Sequence, residues 1–224
     1  MIDFRNEDCL QGIKQYPDKY FDLAIVDPPY FPGPEKRKFY GRKVSPIGVQ
    51  RLYTETDTWE LPTAEYFNEL FRVSKNQIIW GVNYFSNYSF GPGRIVWDKV
   101  NGKSPFSDCE IAYCSLHNSV RQFRYMWNGM LQGKSIEEGH IAQGNKKLNE
   151  KRIHPTQKPV NLYKWLLQKY AVPGQLILDT HVGSGSSLIA CQQLGFDVTG
   201  FELNQHYFTA AKERLCEDLN DGNQ

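Results

Sequence analysis

Short apolar runs that end on an acid constrain this chain more than any other feature. Residues 23–26 (LAIV) are continuously apolar, and Asp27, Pro28 and Pro29 follow at once. A strand with one wet face alternates apolar and polar residues, whereas a strand covered on both faces has no need to. The unbroken run therefore predicts a mostly parallel sheet with helices on both sides. The prolines mark its end, because proline cannot donate to a sheet ladder. The segments 77–81 (QIIWG), 94–99 (RIVWDK), 108–115 (DCEIAYCS), 175–179 (QLILD) and 197–202 (DVTGFE) read as further strands. Helices are expected over 63–73, 159–171, 188–194 and 204–219. Thr63 starts the first, and Gly195 closes the third. The tail from 217 onward is polar and expected to fray.

The chain has 224 residues, enough for one α/β domain with a sizeable insertion. Apolar residues make up 40% and charged residues 23%, too apolar a mixture for a disordered chain. Aromatics reach 14%, which suggests a flat ligand or an aromatic core. A net charge of +1 neither demands nor excludes nucleic acid. No apolar run has the ~18 residues that a membrane span needs. The N-terminus is charged from Asp3, unlike a signal segment. Cys9, Cys109, Cys114, Cys191 and Cys216 form no CxxC pair, and the five histidines lack metal-ligand spacing. Reduced thiols in a cytoplasmic protein, and no metal site, are the expectation.

Two stretches have little regular patterning. Residues 31–58 contain Lys36, Arg37, Lys38, Arg42 and Lys43, amid several prolines and glycines. Residues 117–152 are polar and again basic. Both read as long inserted loops, and long loops in compact domains are usually functional or disordered.

Two sites stand out. In the first, a strand ends at Asp179, a loop with Gly183, Ser184 and Gly185 leads into a helix, and the next strand ends at Glu202. Glycines let a ligand approach the backbone, and an acid about 20 positions on can hold ribose hydroxyls. The loop has no Gly-Lys-Ser/Thr, which argues against nucleotide hydrolysis. A tight turn and a surface glutamate would be the plainer reading. The second site is Asp27-Pro28-Pro29-Tyr30. A carboxylate beside a rigidly presented carbonyl offers two acceptors, suited to a planar NH₂ group, and Tyr30 can stack on a flat base. Its plainer reading is a turn that ends a strand.

In this order, DPPY (27–30), HPTQKP (154–159) and DTHVGSGSS (179–187) resemble the amino-group DNA methyltransferases that use S-adenosylmethionine. Their sequence along the chain is that of the family's permuted beta group. NEDCL (6–10) resembles the family's acidic turn toward the cofactor adenine, which adds Asp8 and Cys9. The resemblance runs from about residue 3 to residue 215. It implies a Rossmann-like α/β fold: a seven-stranded, mostly parallel sheet with helices on both faces and one antiparallel strand near an edge. The whole chain, 1–224, would be one methyltransferase domain. It implies Asp27, Pro28, Pro29 and Tyr30 as catalytic residues. Asp8, Cys9, Lys158, Asp179, Gly183, Ser184, Gly185 and Glu202 would bind S-adenosylmethionine. Lys158 enters because HPTQKP closes over the methionine end of the cofactor in the resembling family. The partner would be double-stranded DNA, gripped by 31–58 and 117–152, with the target base flipped out of the helix. Beta-group relatives often form homodimers. Asp rather than Ser at the head of DPPY goes with the 6-amino group of adenine in that family; the 4-amino group of cytosine is the alternative. The chain departs from the family's usual loop, Asp-Pro-Phe-x-Gly-Ser-Gly-Thr, at Thr180, His181 and Ser186. A non-catalytic DNA-binding relative and a methyltransferase for RNA or protein amides are the rival readings.

Overall fold

The computed structural model describes residues 1–30, 59–102, 107–128 and 131–221. In chain order the strands are β1 (Ile2–Arg5), β2 (Phe21–Val26), β3 (Ser74–Trp80), β4 (Arg94–Asp98), β5 (Cys109–Cys114), β6 (Val120–Arg124), β7 (Trp127–Asn128), β8 (Leu131–Gln132), β9 (Leu176–Asp179) and β10 (Asp197–Phe201). The helices are α1 (Cys9–Lys14), α2 (Ala64–Val73), α3 (Val160–Tyr170), α4 (Ser186–Leu194) and α5 (Gln205–Asp221).

Eight strands form the main sheet, in the order β1-β10-β9-β2-β3-β5-β4-β6. Every neighbouring pair is parallel except the two that β5 makes, with β3 and with β4. The sequence reading anticipated seven strands and irregular structure over 117–152. The eighth strand lies within that stretch. β6 extends the sheet beside β4, with Trp97 level with Phe123, and β7 and β8 form a small hairpin. Of the β6 residues only Phe123 is buried. An edge strand wet on one face has no apolar run to betray it.

β2 shows why the chain needs helices on both sides. Leu23 and Ile25 pack on one face with Leu162, Leu166 and Leu188 from α3 and α4. Ala24 and Val26 pack on the other with Ile13 of α1 and Phe67 and Leu70 of α2. Successive side chains of a strand point to opposite faces, so a run apolar at every position is stable only between two layers. α2 begins where Thr63 Oγ1 accepts from Tyr66 N at 3.3 Å. It buries Tyr66, Phe67, Leu70 and Val73, one stripe at helical spacing. Burying a side chain such as Leu70 contributes roughly 1.5–3 kcal/mol.

Candidate active site

A cleft of about 540 Å³ opens where residues just past β2, β9 and β10 meet. The strand order accounts for its place. The chain leaves β9 for β10 in one direction and β2 for β3 in the other, and ligands of open α/β sheets sit at such a reversal. The volume is within the ~300–1,000 Å³ of small-molecule sites.

Asp27, Pro28, Pro29 and Tyr30 line one wall. Lys158 Nζ lies 2.5 Å from Asp27 Oδ2 and 2.9 Å from Glu110 Oε2. Lys99 Nζ lies 2.5 Å from the other Glu110 oxygen, Oε1. The four side chains make a row of alternating charge, Asp27–Lys158–Glu110–Lys99. The Lys158 side chain is 2% exposed, so its charge depends on these partners rather than on water. Asp27 Oδ1 has no hydrogen-bond partner among the described residues. Burial, with the like charge of Glu110, holds the Asp27 carboxyl above the usual carboxylate range, against the pull of Lys158. Burial also pushes Glu110 up, but Lys158 and Lys99 outweigh it and bring its pKa down to about 2. Burial pulls the Lys158 ammonium down, and Asp27 and Glu110 more than offset that, leaving it raised.

Tyr30 stacks on Tyr84, with ring centroids 4.7 Å apart and planes 9° from parallel. Gly81 packs against the Tyr30 ring with φ +72°. A Cβ there would sit 2.9 Å from Tyr30 Cε1 and nearer still to Cδ1.

Gly183 and Ser184, from the loop between β9 and α4, line the far side of the cleft, together with Asp8, Cys9 and Glu202. Glu202 Oε2 accepts from Gly183 N at 2.8 Å, and Oε1 from Asn204 N at 2.9 Å. Each oxygen keeps a second lone pair. Asp179 and Gly185 do not line the cleft. Asp179, 1% exposed, accepts from His181 N at 3.0 Å and from the Ser187 hydroxyl, so it braces the loop from beneath. Burial lifts its carboxyl to about 7. Gly185, at φ +79°, turns the chain into α4. Asp8 also caps α1, accepting from Gln11 N at 2.9 Å.

The departures from the family loop are joined to one another. Tyr66 OH is 2.6 Å from Thr180 Oγ1, which is 2.9 Å from His181 Nδ1. His181 Nε2 is 3.7 Å from Cys9 Sγ. A polar relay thus occupies positions where the resembling family has Pro-Phe. Burial lowers His181 to about 4 and pushes the Cys9 thiol up to about 12, the opposite of an activated nucleophile. His154 stacks on Trp59 at 5.5 Å and meets Tyr207 edge-on at 4.3 Å.

A second ion pair fixes the loop. Arg214 donates to the Ser184 carbonyl, the Ser186 hydroxyl and Glu150 Oε2, each at 2.9 Å. Glu150 in turn accepts from Val160 N at 2.9 Å and caps α3.

Of the sequence-derived residues, ten line the cleft: Asp27, Pro28, Pro29, Tyr30, Asp8, Cys9, Lys158, Gly183, Ser184 and Glu202. Lys158, expected on the cofactor, lines the cleft and is bonded to Asp27. Lys36, Arg37, Lys38, Arg42 and Lys43 lie outside the described residues. Glu110, Lys99, Trp59 and Arg214 were not anticipated. Glu110 left one signal, a lone acid inside the apolar strand CEIAYC. Among the described residues no set of three or more His, Cys, Asp or Glu gathers as a metal site, and no helix is long and apolar enough to cross a membrane.

The family model described as DNA methylase, for N6 and N4 methylation, matches residues 96–213. The putative methylase YubD of Escherichia coli K12 is 27% identical over 96% of this chain and 91% of its own length. The type II methyltransferase M.HinfI of Haemophilus influenzae is 25% identical over 94% of this chain and 67% of its own. The structure of the M1.HpyAVI–SAM complex aligns over 96% of this chain and all of its own, with a TM-score of 0.56 at 19% identity. The cytosine-N4-specific PvuII DNA methyltransferase aligns over 98% of this chain and 91% of its own, with a TM-score of 0.55 at 13% identity. At such identities the two structures speak to the fold, which is that of methyltransferases.

Proposed function

The chain belongs to the N6/N4 family of DNA methylases, and from that premise we propose that it methylates the 6-amino group of adenine at specific sites in double-stranded DNA. The observation that carries the reading is the meeting of Asp27-Pro28-Pro29-Tyr30 with the Gly183–Glu202 side in one cleft. The cleft residues fit S-adenosylmethionine. A bare glycine loop at the head of α4, a carboxylate held at the cleft rim and the adjoining Asp8–Cys9 turn give room for a nucleoside and acceptors for its hydroxyls. Gly183, Ser184, Glu202, Asp8 and Cys9 would touch it, with Asp179 and Gly185 shaping the loop. When bound, this cofactor supplies an electrophilic methyl group on a sulfonium.

An exocyclic amine is a poor nucleophile because its lone pair is delocalised into the ring. Asp27 and the Pro28 carbonyl would accept its two N–H groups and turn the lone pair out of the ring plane. Fixing that orientation supplies much of the rate. Tyr30, backed by Tyr84, offers its ring to the base. The base has to leave the duplex to arrive there, at a cost of a few kcal/mol. Residues 31–58 and the basic positions of 117–152 would hold the phosphates. The type II relatives support a site-specific target. Asp27 at the head of the tetrapeptide, by the family resemblance, supports adenine over cytosine. The purified chain should incorporate methyl groups into DNA, and nucleoside mass spectrometry should find 6-methyladenine. Finding 4-methylcytosine alone would overturn the adenine assignment; no incorporation on any duplex would overturn the activity.

A further inference from the structure

Lys158 and Glu110 belong to no step of the reading above, yet they are the charged groups built most closely around Asp27. A carboxylate at the end of a strand can rotate about its Cβ–Cγ bond, and an amine acceptor that rotates is misaligned much of the time. Here Oδ2 is held by Lys158 at 2.5 Å, while Oδ1 is buried and has no hydrogen-bond partner among the described residues. Lys158 is drawn away from a rotating Asp27 by Glu110, which faces its ammonium at 2.9 Å as an ion pair without hydrogen-bond geometry and is itself paired with Lys99 at 2.5 Å. The anchors come from separate places in the fold: Lys158 just before α3, Glu110 from β5, Lys99 just past β4. A salt bridge serving stability alone would not need three further charges behind one carboxylate, since buried pairs often fail to repay their desolvation.

We propose that Lys158 and Glu110 are positioning residues for Asp27: together they clamp Oδ2 and so fix the orientation of the carboxylate, keeping Oδ1, buried and unpaired among the described residues, as the acceptor left for an N–H of the target amine. This rests on the methyltransferase reading given above. It assigns Lys158 to the target-amine side of the cleft rather than to the cofactor. The charged and titratable groups that bear on Asp27 are Lys158, Glu110 and Lys99, with Asp179, Tyr66 and Tyr163 also coupled to it from β9, α2 and α3.

The test uses the full chain with Lys158→Gln, Lys158→Arg and Glu110→Gln. Three quantities are read: S-adenosylmethionine affinity by calorimetry, kcat on DNA, and the titration of the Asp27 carboxyl by ¹³C NMR, assigned by its loss in Asp27→Asn. Lys158→Gln should lower kcat by on the order of 100-fold, leave cofactor affinity within about twofold, and move the Asp27 titration to higher pH by removing the adjacent cation. Glu110→Gln should move it to lower pH, because the like charge goes and Lys158 stays. Lys158→Arg, keeping the charge, should return the titration toward the wild-type position. A role in folding alone would lower cofactor affinity together with kcat, whereas positioning lowers kcat and leaves that affinity in place. An Asp27 titration that stays put in both neutralising variants overturns the proposal. So does a Lys158→Gln chain that loses cofactor affinity tenfold and keeps its kcat. Should Lys158→Gln not fold, Glu110→Gln and Lys158→Arg still decide the matter. A wild-type chain that does not methylate DNA would overturn the functional reading, while the titration shifts would independently report the clamp.

Discussion

Gly81→Ala is the most informative single substitution, because it separates backbone strain from displacement of Tyr30. Two costs are added at this position. Alanine in the left-handed region costs roughly 1–2 kcal/mol. The new Cβ would also lie 2.9 Å from Tyr30 Cε1, with Cδ1 nearer, whereas carbon atoms rest at about 3.5–4.0 Å. The ring must retreat by about 1 Å, and Tyr84, stacked on its face at 4.7 Å, must move with it. A misplacement of that size costs on the order of 100-fold in rate, equivalent to about 2.7 kcal/mol of barrier. Gly174→Ala supplies the control. Gly174 is also left-handed, at φ +87°, but a Cβ there meets nothing within 4 Å. Both variants should lose stability in urea melts, Gly81→Ala by a further 1–3 kcal/mol, roughly, from overpacking. Only Gly81→Ala should lose kcat, and both should bind S-adenosylmethionine as the wild type does. A Gly81→Ala enzyme with kcat within twofold of Gly174→Ala would refute the placing of Tyr30 at the target base.

Glu202→Ala should weaken S-adenosylmethionine binding by about 1–3 kcal/mol, since an acceptor is lost and Gly183 N is freed; an unchanged dissociation constant by calorimetry removes Glu202 from the site. His181→Phe should flatten the acid side of the stability profile. The folded-state pKa is depressed to about 4 by burial, so below its ordinary 6.5 the unfolded chain takes up a proton that the folded chain refuses, and stability falls as pH drops from 6.5 toward 4. His181 is only partly buried by surface area, so the difference between wild type and variant at pH 4.5 should be about 2 kcal/mol or less, and parallel profiles would show that His181 titrates freely. Neutralising Lys36, Arg37 and Lys38 together should lower DNA affinity and reduce the slope of log affinity against log salt by roughly one per lost phosphate contact; an unmoved slope would separate this segment from the DNA backbone.

What the sequence made legible followed physical necessity. β2 and β9 announced themselves because strands buried on both faces must be apolar throughout, and each is closed by an acid, Asp27 in the cleft wall and Asp179 beneath its loop. α2 was readable from its Thr63 cap and its stripe of Tyr66, Phe67, Leu70 and Val73. β1 and β6 were not, because edge strands tolerate Arg121 and Gln122 as readily as a loop does. The DPPY and glycine-loop residues were readable because their chemistry lies in their own types and order. The clamp on Asp27 was not, since Lys158 and Glu110 lie 131 and 83 residues along the chain from it and nothing in local pattern brings three strands' ends to one point. HPTQKP brings Lys158 to the cleft, but proximity in a motif does not say that the side chain pairs with Asp27. The Thr180–His181 relay was visible only as a departure; its partner Tyr66 sits on a helix that looked wholly structural.

The adjacency of β2 and β9 also governs how the molecule can be made. Leu23 is level with Ile177 and Ala24 with Leu178, so the centre of the sheet joins the first and last quarters of the chain. During synthesis the first of these strands must wait, its Leu23–Ile25 face and one edge uncovered, until some 150 further residues have followed. Contacts so distant in sequence are slow to form, and unpaired apolar strands associate with one another meanwhile. A chain terminated at Ala171 should therefore sediment as aggregate instead of persisting as a partial domain, and a monomeric, cooperatively melting fragment would show that residues 1–171 are self-sufficient. The cleft is complete only once the last strand of the chain has slotted between β1 and β9.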